Sequence, residues 1–158
     1  MHRIIFYLSI IVFSIFLGSQ ITEGLLLIPY WKSLSIIEFY EYYSKFGPQI
    51  GKFYTILTII AILIPISISI YCFLNKLSAL KYSVVSSFFA FLIIAIFYIY
   101  FKDTNQQFYE ASFDASQLKS VLKSWQLIHW LRVLFEIISL IFLIITLNTF
   151  DEKETINA

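Results

Sequence analysis

Residues 125–148 read WQLIHWLRVLFEIISLIFLIITLN. A helix of about 20 apolar residues crosses the hydrocarbon core of a bilayer, and this stretch has that length and character while carrying His129, Arg132 and Glu136. From Trp125 the three follow at steps of four, three and four residues. At about 100° per residue those steps place all four side chains in one narrow arc of a helix. An ionisable group near the bilayer centre costs at least roughly 2.5–3.5 kcal/mol, so such groups face partners inside a bundle and are functional candidates by default.

The rest of the chain has the same character. Its 158 residues are 59% hydrophobic and 13% charged, with a mean hydropathy of +0.82. So little polar surface cannot cover a water-soluble domain of this size. Apolar segments at residues 4–28, 53–74, 82–101 and 126–148 predict an all-α membrane protein, a four-transmembrane up-down helix bundle. Residues 1–150 form one domain in this reading, and 151–158 are a polar C-terminal tail. The first segment follows only Met1, His2 and Arg3. It is too long for a signal-peptide core and lacks a small-x-small cleavage site, so it reads as a retained span.

Charge and composition exclude several classes. A net charge of +1 without any Lys/Arg cluster gives no hold on nucleic acid. Cys72 is the sole cysteine, so one chain can build neither a disulfide nor a cysteine metal site. With His2 and His129 the only histidines, a bis-histidine haem pair would need two chains. HExxH, CxxC and Gly-rich phosphate loops are absent from the sequence. None of these metal or cofactor sites is therefore expected. The expected partners are the lipid bilayer and a small apolar aromatic or lipid-like molecule, with a homo-oligomer left open. The Ile-, Phe- and Lys-rich composition points to a bacterial inner (cytoplasmic) membrane. Orientation stays open: Arg3, Lys76, Lys81 and Lys153 lie at one side of the expected bundle, and Lys32, Lys45, Lys52, Lys102, Lys119 and Lys123 at the other.

Two long connections, residues 29–52 and 102–125, fall on the same side. Both mix aromatics with charges, as in Phe39, Tyr40, Tyr42 and Tyr43 among Glu38, Glu41 and Lys45. They read as aromatic loops holding short interfacial helices, with Phe46-Gly47-Pro48 as a stop. Pro65 should kink the second span. Up-down topology brings Glu23, Asn105, Trp125, His129 and Arg132 to one end of the bundle, with Glu136 about 16 Å deeper than Trp125. An imidazole, a guanidinium and a carboxylate around one buried space could remove a proton and stabilise the anion left behind. The competing readings are interfacial snorkelling for His129 and Arg132, an ion pair for Arg132 with Glu136, and a headgroup belt for Trp31, Trp125 and Trp130.

Trp125-x3-His129-x2-Arg132 resembles the W-x3-H-x2-R signature of the anthrone oxygenase-like family of small four-span membrane proteins. Gly24 and Pro29 at the end of the first span, and Asn105 after the third, are similar to further features of that family. The resemblance implies a cofactor-independent oxygenase that converts an anthrone to an anthraquinone with molecular oxygen. It implies His129 as the base, and Arg132 with Asn105 as stabilisers of the enolate. Trp125, Glu23 and Glu136 are the expected substrate-binding residues, Glu136 being a departure from the family pattern. The alternative is a non-catalytic membrane module, a lipid or quinone binder or a complex subunit, whose Arg/Glu/His cluster is structural. His129 and Arg132 facing a cavity beside Asn105 would favour the enzyme; side chains reaching headgroups would favour the module.

Overall fold

The computed structural model describes residues 2–156, and among them the chain is helical with no strand. The elements are α1 (His2–Thr22), a π-helical turn π1 (Glu23–Leu27), α2 (Ile28–Ser33), α3 (Ile36–Leu74), α4 (Leu80–Ile96), a second π-helical turn π2 (Phe97–Phe101), α5 (Lys102–Tyr109) and α6 (Ala115–Ile156). They form four continuous helical segments long and apolar enough to cross a membrane: Phe6–Ser33, Ile36–Leu74, Leu80–Tyr109 and Ala115–Thr149. Large apolar side chains such as Ile11, Leu63, Phe91, Leu134 and Ile141 stand exposed along all four. Water would not wet such a surface; a bilayer would. The expected tail from Asp151 is helical as far as Ile156, and its last two residues lie outside the described residues.

The two long aromatic loops do not form. Residues 29–52 are helical except at Leu34 and Ser35, and α3 runs unbroken from Ile36 through Pro48 and Pro65. Phe46-Gly47-Pro48 is therefore no stop. A proline removes one N–H and displaces one carbonyl, a local loss that a 39-residue helix absorbs. The restart after Leu34 is a capping box. The Ser35 hydroxyl accepts from the Glu38 amide (3.4 Å), and the Glu38 carboxylate accepts from the Ser35 amide (2.8 Å). In the third connection only Glu110–Asp114 are non-helical, and α6 starts on another cap. The Asp114 carboxylate accepts from the Ser116 and Gln117 amides, and Gln117 Oε1 accepts from the Asp114 amide.

Packing divides the interior. Ile28 and Trp31 of α2, Phe39 and Tyr43 of α3, Phe101, Phe108 and Trp125 form one aromatic cluster. Phe13, Phe16, Ala61, Ile68, Cys72 and Leu143 form another, farther along the segments. Between them α4 and α6 approach closely through small residues. Ser83, Ser86 and Ala90 are buried on α4, and the Ser86 and Ser139 hydroxyls each donate to the other's carbonyl (2.8 and 2.9 Å). Such small polar contacts let helix backbones meet in a membrane.

Candidate functional site

The polar residues of the first and last segments meet in the apolar interior. Gln20, His129 and Glu136 are wholly buried, Glu23 is 4% exposed and Arg132 7%. Gln20 lies one turn before Glu23, so both project from the same face toward α6. The Arg132 guanidinium is the hub. Its Nη2 donates to Gln20 Oε1 and to Glu23 Oε2 (3.3 Å), its Nε stands 3.9 Å from Glu136 Oε1, and its Cζ lies 4.8 Å from the centre of the Phe101 ring. The last contact sets a cation on an aromatic face.

His129 is held on both sides. A carbonyl can only accept, so Nε2 carries the hydrogen and donates to the Gln20 carbonyl (2.9 Å). Nδ1 is then the acceptor for Arg132 Nη2 (3.3 Å) and lies 3.7 Å from Glu23 Oε2. The ring stacks on Trp125 at 5.3 Å and 11°. Trp125 in turn donates from Nε1 to Asn105 Oδ1 (3.0 Å) and packs edge-on against Phe101 and Trp31. Gly24 makes room for this arrangement. A Cβ there would meet the Trp130 ring at 2.7 Å and His129 Nε2 at 3.1 Å.

A cavity of about 180 Å³ opens beside the hub. Glu23, Arg132, Asn105 and Trp125 form its polar part, and Tyr43, Tyr54, Phe97 and Phe101 supply aromatic wall. Thr55, Ile59 and Tyr98 also line it and are exposed, so its mouth lies between α3 and π2. Of the six expected site residues, four line this cavity. His129 stands behind Arg132 and Trp125, and Glu136 stands deeper, with both carboxylate oxygens lacking a hydrogen-bond partner. Neither reaches the protein surface.

Two participants carried little or no signal in the sequence. Gln20 binds both His129 and Arg132, and its one mark was a polar residue three positions before Glu23 in an apolar run. Tyr54 borders both this cavity and a shallower groove that also reaches Glu23, and its hydroxyl donates to the Ser19 carbonyl (3.1 Å). Nothing in the sequence around Tyr54 distinguishes it from the chain's other tyrosines. Among the described residues no group of three or more His, Cys, Asp or Glu side chains could hold a metal ion.

These features define a class: a helical protein with four segments able to span a membrane and a charged cluster beside a cavity in its apolar interior. In comparisons with protein-family models, curated proteins and solved structures, nothing matches this chain.

Proposed function

We propose that this is a membrane-embedded oxygenase of the anthrone oxygenase-like kind, acting without a cofactor on a flat apolar molecule that enters from the bilayer. The four segments cross a bacterial inner membrane up, down, up, down, with the α2–α3 and α5–α6 connections on one side. One observation carries the reading: Arg132, Glu23 and Asn105 line a single cavity that also holds Trp31, Tyr43, Tyr54, Phe97 and Phe101 and whose mouth lies between α3 and π2. A ring system fits the aromatic wall, and an acidic hydroxyl or activated C–H on it would meet the polar part.

Glu23 is a better placed proton acceptor than His129, because it lines the cavity while both His129 nitrogens are engaged within the protein. In this scheme the substrate C–H breaks, its proton passes to Glu23, and the electron pair remains as an enolate beside Arg132 and Asn105. Molecular oxygen then adds at that carbon. One oxygen atom stays as the new carbonyl, the other leaves as water, and a CH2 has become C=O. His129 keeps Arg132 aimed, and Trp125 keeps His129 and Asn105 aligned. The module reading keeps one observation in its favour, the absence of His129 from the cavity wall.

The test is purified protein in detergent with an anthrone such as emodin anthrone in oxygenated buffer, followed by quinone absorbance above autoxidation. Wild type should accelerate the reaction, and Arg132→Gln should lower the rate by about 10²–10³-fold, as loss of a donor to a developing oxyanion does. Absence of acceleration by wild type would reject the anthrone reaction and favour the module.

A further inference from the structure

The charges at membrane depth are few enough to count from the sequence. Residues 4–31 carry Glu23 alone, residues 53–75 and 82–101 carry none, and residues 124–150 carry Arg132 and Glu136. His129 adds no charge, since its Nε2–H donates to the Gln20 carbonyl and its Nδ1 accepts from Arg132. A second ring proton would set imidazolium against guanidinium. The elements packed against α6 bring little else. α1 has no titratable side chain between Tyr7 and its end, and α4 has none between Tyr82 and its end. α3 presents Tyr43 and Tyr54 at the cavity and then none before Tyr71. On α2, Tyr30 and Lys32 are exposed, and Lys32 donates to Gln126 at 2.6 Å.

Two carboxyl groups therefore share one guanidinium. Fully ionised, the cluster would carry an uncompensated negative charge where nothing solvates it. The geometry distinguishes the two acids. Glu23 lies within 3.3 Å of Arg132 Nη2 and lines the cavity, whereas Glu136 is wholly buried, 3.9 Å from Arg132 Nε, and neither oxygen has a hydrogen-bond partner. We propose that Glu136 is a proton-binding site, held as a neutral carboxylic acid in the resting protein, which leaves the charge of Arg132 to Glu23 and to an anion in the cavity.

Glu136 does not line the cavity, so it is a positioning residue. Only the consequence for the ligand rests on the proposed function. When the ligand's proton moves to Glu23 and its electron pair stays beside Arg132, the cluster and ligand together carry no net charge before and after. With Glu136 ionised the same step would leave a net negative charge throughout, opposing the new anion.

Infrared difference spectroscopy of the full chain in lipid nanodiscs at neutral pH tests this without any ligand. Exposed carboxyls are ionised there, since their ordinary values lie near 4, so a deuterium-sensitive carboxylic-acid C=O band reports a buried, protonated acid. Wild type should show the band, Glu136→Gln should abolish it, Glu136→Asp should displace it, and Glu23→Asp should leave it in place. The Asp variants retain the test if the Gln variant does not fold. A wild type without the band, a band that survives Glu136→Gln, or a band that moves in Glu23→Asp would overturn the assignment. A protein that shows the band but oxidises no anthrone would leave the proton site standing and remove the oxygenase.

Discussion

Gly24→Ala measures how closely π1 lies against α6. The added Cβ would stand 2.7 and 3.0 Å from two carbons of the Trp130 ring and 3.1 Å from Nε2 of His129. Carbon atoms pack best at about 3.5–4.0 Å, so the indole must retreat by about 1 Å and the imidazole by less. His129 has no free direction, being wholly buried between Trp125, the Gln20 carbonyl and Arg132. Overpacking of this kind costs about 1–3 kcal/mol, against a gain of up to about 1 kcal/mol from replacing a helical glycine with alanine. The net expectation is a loss of about 0–3 kcal/mol. Gly18→Ala is the internal control, because a Cβ there has nothing within 4 Å and should collect the gain alone. The difference between the two variants, about 1–3 kcal/mol, is then the contact itself. For a chain of this size it corresponds to at least about 2 °C between their melting temperatures, read by thermal unfolding in one detergent. In a Trp130→Leu background, which shortens the nearest neighbour, the penalty should shrink, a non-additivity expected of residues in contact. Equal stabilisation by Gly24→Ala and Gly18→Ala would refute the close approach, and with it the packing that holds His129.

Other substitutions probe the frame. Ser86→Ala should cost only about 0.6 kcal/mol, the average for a hydrogen bond between membrane helices, whereas Ser86→Leu should cost about 1–3 kcal/mol or more by forcing α4 from α6; both are read by unfolding in detergent. Ala111 ends α5 with a left-handed φ of 53°, so Ala111→Gly should raise stability by about 1 kcal/mol in the same assay. The Gln117 amide and the Ser116 hydroxyl hold the Asp114 carboxyl below the ordinary carboxylate value of 3.8. A lowered folded value means the stabilisation is present above that ordinary value and disappears as pH falls through the lowered one. Asp114→Ala should therefore melt below wild type at neutral pH, and melting curves taken at successively lower pH should converge.

The sequence exposed the spans through their uniformly apolar middles and missed their ends. Residues 36–52 continue a helix while mixing aromatic with charged side chains, and residues 102–107 continue another as a polar run, so an apolar-run criterion stops short of both. The local signals were present in Ser35-x-x-Glu38 and Asp114-x-x-Gln117, each a capping box that starts a helix earlier than hydropathy does. The charged stripe of α6 was readable because it sits on one regular helix. Glu23 and Asn105 were readable as polar residues at the ends of apolar runs, but which of them share a cavity was not. That depends on how α1 and α4 are wound, and no residue type announces a π turn.

The irregular winding lies against the charged cluster. In π1 the Ile28 amide donates to the Glu23 carbonyl, and in π2 the Lys102 amide donates to the Phe97 carbonyl, each across five residues rather than four. Such a turn holds one extra residue and rotates the helix beyond it by about 100° relative to a straight one. The buried stripe Ser83, Ser86, Ala90 and Ile93 of α4 therefore does not dictate where α5 points, and Asn105 reaches Trp125 through the offset that π2 introduces. π1 opens on Glu23 and carries Gly24, and π2 closes on Phe101, so the two irregular turns touch Arg132, His129 and Trp125 directly. Two separate helices depart from regular winding against the same charged cluster. Apolar packing alone gives regular helices no reason to do that at one shared level, whereas placing Glu23 and Phe101 against Arg132 does.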